Sequence, residues 1–89
     1  MSKVSTLPNI GKVIEGKLNK IGIDSAEEFL ARDPYTVFEE LLRKVDPTLC
    51  RCALASLVGA SKKEKWHLVM KEAVTAFEKK HPKYRWENC

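Results

Sequence analysis

The residues best placed to do chemistry lie in one short stretch, Leu7-Pro8-Asn9-Ile10-Gly11-Lys12-Val13. Pro8 to Gly11 reads as a tight hairpin, because Asn and Gly both tolerate the positive φ angles such a turn needs. The chain leaving it carries Ile10, Ile14, Leu18 and Ile21 at i, i+4, i+8 and i+11, one apolar stripe at helical period. A short helix is expected there, closed by Gly22 in the left-handed region. The amides of Gly11, Lys12 and Val13 would open it without intrahelical acceptors, an arrangement that holds phosphate oxygens. Lys12 adds charge beside them, and Lys17 and Lys20 stay off the apolar stripe. Asn9, Gly11, Lys12, Val13 and Lys17 therefore form a candidate nucleic-acid-binding set that grips the backbone and does not read bases. The competing reading makes the same residues a well-made turn between core segments.

Other reactive side chains are poorly arranged. Cys50 and Cys52 stand two apart on an expected helix, so their side chains diverge by about 200°. That geometry suits neither shared metal ligation nor a mutual disulfide. Cys50 is expected in the core, Cys52 in the core or at its boundary, and Cys89, the last residue, as a mobile thiol. Trp66-His67 could serve as a base-stacking platform or a catalytic pair. Trp66 falls on an apolar stripe, however, and is expected in the core, with His67 at the boundary and no cysteine or acid at catalytic spacing. His81 suits a helix end. The sequence contains no glycine-rich phosphate loop, metal-spaced His/Cys cluster or Ser-His-Asp order. A protein without enzymatic activity, metal or cofactor is the expectation.

The elements that must position the hairpin follow from caps and periodicity. The 89 residues make a single domain, with 1–6 as a short arm and 82–89 as a C-terminal tail. Before the hairpin, the arm has room for one helical turn or for none. Ser25-Ala26-Glu27-Glu28 is a capping box that opens a helix from Ala26 to about Arg32, burying Ala26, Phe29 and Leu30. Asp33-Pro34 opens the next, which runs to about Lys44 with Phe38, Leu41, Leu42 and Val45 inward. Asp46-Pro47 repeats that start signal for a helix from Pro47 to Val58, ended by Gly59. Its many small residues mark it as central, closely approached by its neighbours. Ser61-Lys62-Lys63-Glu64 is a further capping box, for a long helix from Lys62 to about Lys80 with Trp66, Val69, Met70, Ala73 and Phe77 as its stripe. The fold class expected is all-α, a compact five-helix domain whose N-terminal half resembles a helix-hairpin-helix.

Charge and composition narrow the class further. Residues 1–60 carry eight basic and eight acidic groups, whereas residues 61–89 carry eight basic and four acidic, so the whole net charge of +4 lies in the last third. A basic segment on a neutral body suits nucleic acid, and it equally suits a solvated lysine-rich helix. No apolar run approaches the roughly 20 residues of a membrane span. An odd cysteine count argues against a secreted disulfide scaffold, and no signal-peptide pattern opens the chain. A cytoplasmic protein with no membrane partner is expected.

A family resemblance rests on several of these stretches. Leu7-Pro8-Asn9-Ile10-Gly11-Lys12, Leu18, Ile21-Gly22-Ile23 and Glu27-Glu28-Phe29 look like the start of the C-terminal domain of TfoX/Sxy proteins, regulators of bacterial natural competence. Cys50, Leu54, Gly59-Ala60 and Lys65-Trp66-His67 fit its later part. The likeness spans about Leu7 to Met70. The central Ala53-Leu54-Ala55-Ser56-Leu57-Val58-Gly59-Ala60 departs from it by lacking the tyrosine and glutamate usual there. A second resemblance is to small bacterial helix-hairpin-helix proteins of the pathogenicity-locus type, which share the hairpin-plus-cysteine layout. Their usual double-glycine hairpin fits less well than Asn9-Ile10-Gly11. The TfoX resemblance implies a regulatory binding domain. It leaves two partners open: DNA, bound weakly and without sequence preference, or protein, as a homodimer or with a regulatory partner through Tyr84-Arg85-Trp86.

Overall fold

Side-chain caps fix where two of the helices begin in the computed structural model, which describes residues 2–84 and 86. Ser25 Oγ accepts the Glu28 amide at 3.1 Å and donates to Glu28 Oε1 at 3.1 Å, opening α2, Ala26–Leu30. Asp33 Oδ2 accepts the Thr36 amide at 3.3 Å and its hydroxyl at 2.9 Å, and Pro34 follows as the first residue of α3, Pro34–Lys44. Ahead of both, α1 runs Lys12–Asn19 from an extended Gly11, and Gly22 at φ +84 turns the chain out of it. The segment before the hairpin forms a single 3-10 turn, Val4–Thr6. Asn9 takes the positive φ expected of it, +70, whereas Gly11 sits at −95 and needs no special freedom. The five helices expected are present, and the domain is all-α, with a lone antiparallel bridge between Lys3 and Ser25.

The second half departs from the expected boundaries for identifiable reasons. Asp46 does not start a helix. Its Oδ1 accepts the Thr48 amide at 2.9 Å in a turn, so α4 begins later, at Arg51–Lys62 with Cys50 as an extended N-cap. Gly59 does not end that helix. It lies inside α4, buried, where a Cβ would stand 2.6 Å from Asn9 Nδ2 and 2.7 Å from the Glu64 carbonyl. The left-handed closing position belongs to Lys63, at φ +59. Around it Glu64 N bonds Gly59 O at 2.8 Å and Lys63 N bonds Ala60 O at 3.2 Å, a Schellman arrangement. Ser61 therefore finishes α4 and does not cap the next helix, and α5 spans Trp66–Lys80.

Packing centres on α4, which lies against α5 and α3. Leu54, Ala55, Leu57, Val58 and Ala60 of α4 are buried with Val37, Phe38 and Leu41 of α3 and Val69, Ala73 and Phe77 of α5. Phe38 and Phe77 meet edge to face, with centroids 5.3 Å apart. Val4, Leu7, Ile10, Leu18, Ile23, Ala26 and Phe29 extend the same core under the hairpin. Two expected core residues are exposed, and Met70 is only half-buried. Leu30, 39% exposed, stands about 100° round from Phe29 on the short α2. Trp66, 38% exposed, lies on the right meridian of α5 but at its first residue, one turn beyond the core. Cys50 and Cys52 are half-buried, and Cys89 and Arg85 lie outside the described residues.

Tyr84 and Trp86 fold back on Phe77, at centroid distances of 5.3 and 5.4 Å, with Arg51 over the Trp86 ring at 5.2 Å. No helix among the described residues is long and apolar enough to cross a membrane.

Two measurements check this architecture. Leu54 is wholly buried, and Leu54→Ala should cost about 2–5 kcal/mol in a urea titration; a loss below about half a kcal/mol would put α4 at the surface. The second concerns Asp46, whose carboxylate pairs with Lys17 and ties α1 to the turn after α3. The Lys17 ammonium, then the Thr48 hydroxyl and amide, hold that carboxyl well below the usual carboxylate range. A depressed folded-state pKa gives stability that is complete above the unfolded value of about 3.9 and is lost as pH falls towards the folded one. Asp46→Asn should therefore be less stable than wild type at pH 7, by a margin that shrinks between about pH 4 and pH 2. A constant margin would remove the ion pair from the account.

Candidate nucleic-acid interface

An isolated Pro8–Gly11 hairpin would be loose, and the structure fastens it through one side chain. Asn9 Nδ2 donates to the Glu64 carbonyl at 2.7 Å, and Asn9 Oδ1 accepts the Trp66 amide at 3.1 Å. Both halves of the carboxamide are used on backbone more than fifty residues away in sequence. Trp66 N is the first amide of α5, and Lys65 offers no side-chain cap there, so Asn9 caps α5 from another element. Gly59 lies beneath this junction, its missing side chain leaving the space that the Asn9 amide and the Glu64 carbonyl occupy.

The clamp sets the start of α1 beside the loop joining α4 and α5. Gly11, Lys12 and Val13 are all exposed, Val13 at 72%, and Gly11 makes no side-chain cap, so the leading amides of α1 face solvent. Across the clamp, Lys63 lines the same surface groove as Leu7, Pro8 and Leu30. Lys12, Lys63 and Lys65 make no ion pair among the described residues.

The five candidate residues are thus divided. Gly11, Lys12 and Val13 form the open face, Asn9 is committed to holding it, and Lys17 is half-buried and paired with Asp46. The lysines of the last helix do not gather on one face with the hairpin. Lys62 pairs with Glu72, and Lys80 pairs with Glu39 at 3.3 Å, about 20 Å further along α5. Sequence reasoning missed the clamp and the exposure of Trp66. The signal for the clamp was an amide residue at a turn, together with a glycine in a run of small residues.

His81 and Glu39 form the other polar cluster, Nε2 to Oε2 at 3.1 Å. Burial raises the Glu39 carboxyl, and the contacts from His81 and Lys80 outweigh it, leaving the group below its ordinary value. The adjoining groove, about 330 Å³, is lined by Glu39, Leu42, Arg43, Pro47, His81 and Tyr84, with no serine, threonine or cysteine to act as a nucleophile. Among the described residues no three His, Cys, Asp or Glu side chains are grouped to hold a metal ion.

The clamp can be tested without backbone strain, because glycine accepts the φ of Asn9. Asn9→Gly removes two hydrogen bonds, each contributing about 0.5–1.5 kcal/mol. It should therefore cost about 1–3 kcal/mol in urea denaturation, and Asn9→Ala should cost about 1 kcal/mol more for its left-handed backbone. Indifference to Asn9→Gly would mean that the hairpin holds itself.

Comparison with known proteins agrees with this layout. The chain is similar to an uncharacterized protein from Listeria monocytogenes, whose crystal structure superposes with a TM-score of 0.78 at 27% identity, covering 94% of this chain and 99% of that one. No curated protein matches. The family model described as Pathogenicity locus (Cdd1) matches residues 1–67, from the arm through α4 to the first turn of α5, and so takes in the hairpin, Gly59 and the clamp. The match names the pathogenicity-locus family of the second resemblance, not TfoX. The hairpin-and-cysteine chain belongs to the Pathogenicity locus family.

Proposed function

We propose that this domain is a non-enzymatic module that binds nucleic acid through its phosphate backbone, weakly and without sequence preference. The observation carrying the reading is the Asn9 clamp, which fastens the exposed start of α1 beside the loop bearing Lys63 and Lys65. Backbone amides at a helix start and a few unpaired lysines make a site for phosphate oxygens. None of these groups reads a base edge. The regulatory setting implied by the TfoX likeness belongs to the same proposal. The alternative, a protein-interaction domain built on Tyr84-Arg85-Trp86, gains less support, because Tyr84 and Trp86 spend much of their aromatic surface on Phe77.

Fluorescence anisotropy with random-sequence duplexes at two salt concentrations tests the reading. Affinity at physiological salt should be roughly 10⁻⁴–10⁻⁶ M and fall steeply as salt rises. Lys12→Glu and the double change Lys63→Glu, Lys65→Glu should each weaken binding about equally for unrelated sequences. Each lysine lost should flatten the logarithmic salt slope by about one. A wild-type protein that binds no duplex or single strand even at low salt would overturn the proposal.

A further inference from the structure

Trp66 is the largest side chain that the packing leaves unexplained. Its position on the buried meridian of α5 would serve a core residue, yet 38% of it faces solvent because α5 starts there, one turn beyond the core. The backbone that carries the ring is anchored. Its backbone amide is fixed by Asn9 at 3.1 Å, and the exposed His67 ring packs against it edge-on, with centroids 5.8 Å apart and planes at 87°. Around it the sequence Lys62-Lys63-Glu64-Lys65-Trp66-His67-Leu68-Val69-Met70-Lys71 has four lysines and one acid. The Lys62 charge is met by Glu72, which leaves Lys63, Lys65 and Lys71 against Glu64. A partly bare indole in a strongly positive segment costs hydration without gaining packing. A ligand that presents both a flat apolar face and negative charge would satisfy both features.

An unpaired nucleic-acid strand has that chemistry, since each base offers a π-face and each linkage a phosphate. In an intact duplex the base faces are stacked on one another and unavailable to a side ring. We infer that Trp66 is a stacking platform for an unpaired base, making single-stranded nucleic acid the favoured ligand of the phosphate-gripping face. This rests on the proposed function and goes further by naming the ligand class. Phosphates seat at Lys12, Lys63 and Lys65, and the base emerging beside them lies on the indole.

The experiment compares wild type, Trp66→Ala and Trp66→Phe against a mixed-sequence 12-mer as single-stranded DNA, as single-stranded RNA and as duplex DNA, with thermal melts to verify folding. Wild type should prefer single strands. Trp66→Ala should weaken single-strand binding by about 5- to 150-fold and duplex binding by less than about twofold. Trp66→Phe keeps a ring and should recover most of the loss, which a packing defect alone would not allow to split by ligand. Preference for DNA or for RNA would identify the sugar, and either supports the platform. If the lysine changes weaken binding while Trp66→Ala weakens single strand and duplex alike, or neither, the platform is overturned and the phosphate grip stands. If wild type binds no nucleic acid, both fall. Should sedimentation then show a dimer that Trp66→Ala dissociates, the ring is a contact between copies of the chain.

Discussion

The structure depends on a carboxamide that donates with one end and accepts with the other. At position 9 the backbone must be left-handed, and the side chain must offer a donor to the Glu64 carbonyl and an acceptor to the Trp66 amide. Glycine meets the first condition alone. Aspartate tolerates the backbone and can accept, but when ionised it cannot donate. Asparagine meets all three. The clamp also imposes a condition on residue 59, where a methyl group would occupy the space of the Asn9 amide and the Glu64 carbonyl. Asn9 and Gly59 are in this sense one device, and they join the two ends of the family match, the hairpin near its start and the α4–α5 loop near its end.

A rigid junction matters for a weak binder because the leading amides of a helix are useful to an anion only when they share a fixed direction. The distribution of acids adds to this. Glu39, Glu40 and Asp46 all lie on α3 or just after it, and each is engaged, with Lys80 and His81, with Arg32 and Lys44, and with Lys17. These acids are half-buried, and each pair contributes modest stability. Their effect is on the field. They cancel Lys17, Arg32, Lys44 and Lys80, whereas Lys12, Lys63 and Lys65 at the junction make no ion pair among the described residues.

What could be read from the sequence was whatever is decided within a few residues. The Ser25 and Asp33 caps, the left-handed Gly22, the end of α3 at Lys44 and the stripe Val69, Ala73, Phe77 are local, and the structure contains them. The failures around the end of α4 have a different cause. Gly59 has the local appearance of a helix terminator, but its role is set by Asn9, fifty residues away, which packs over it with the Glu64 carbonyl. Once Gly59 is inside α4, a lysine must take the left-handed position four residues on, which no propensity favours. That shift moves the start of α5 to residue 66 and leaves Trp66 beyond the core. A single tertiary contact therefore displaced three expectations, including the one that concerned the candidate site.

The two parts of the proposed site would respond differently to solution conditions, and this would shape how the domain behaves. The phosphate contacts act by releasing counterions and weaken as salt rises. Stacking on the indole removes apolar surface from water and depends little on ionic strength. At low salt the charge term dominates, so duplexes and single strands compete on nearly equal terms. As salt rises the charge term shrinks for both, and the stacking term, available only to a strand with unpaired bases, becomes a larger share of what remains. Discrimination between the two forms therefore increases under the conditions in which total affinity falls. On the proposed reading, a domain with one clamp, the junction lysines and the exposed Trp66 indole would gain selectivity through the weakness of its electrostatic grip.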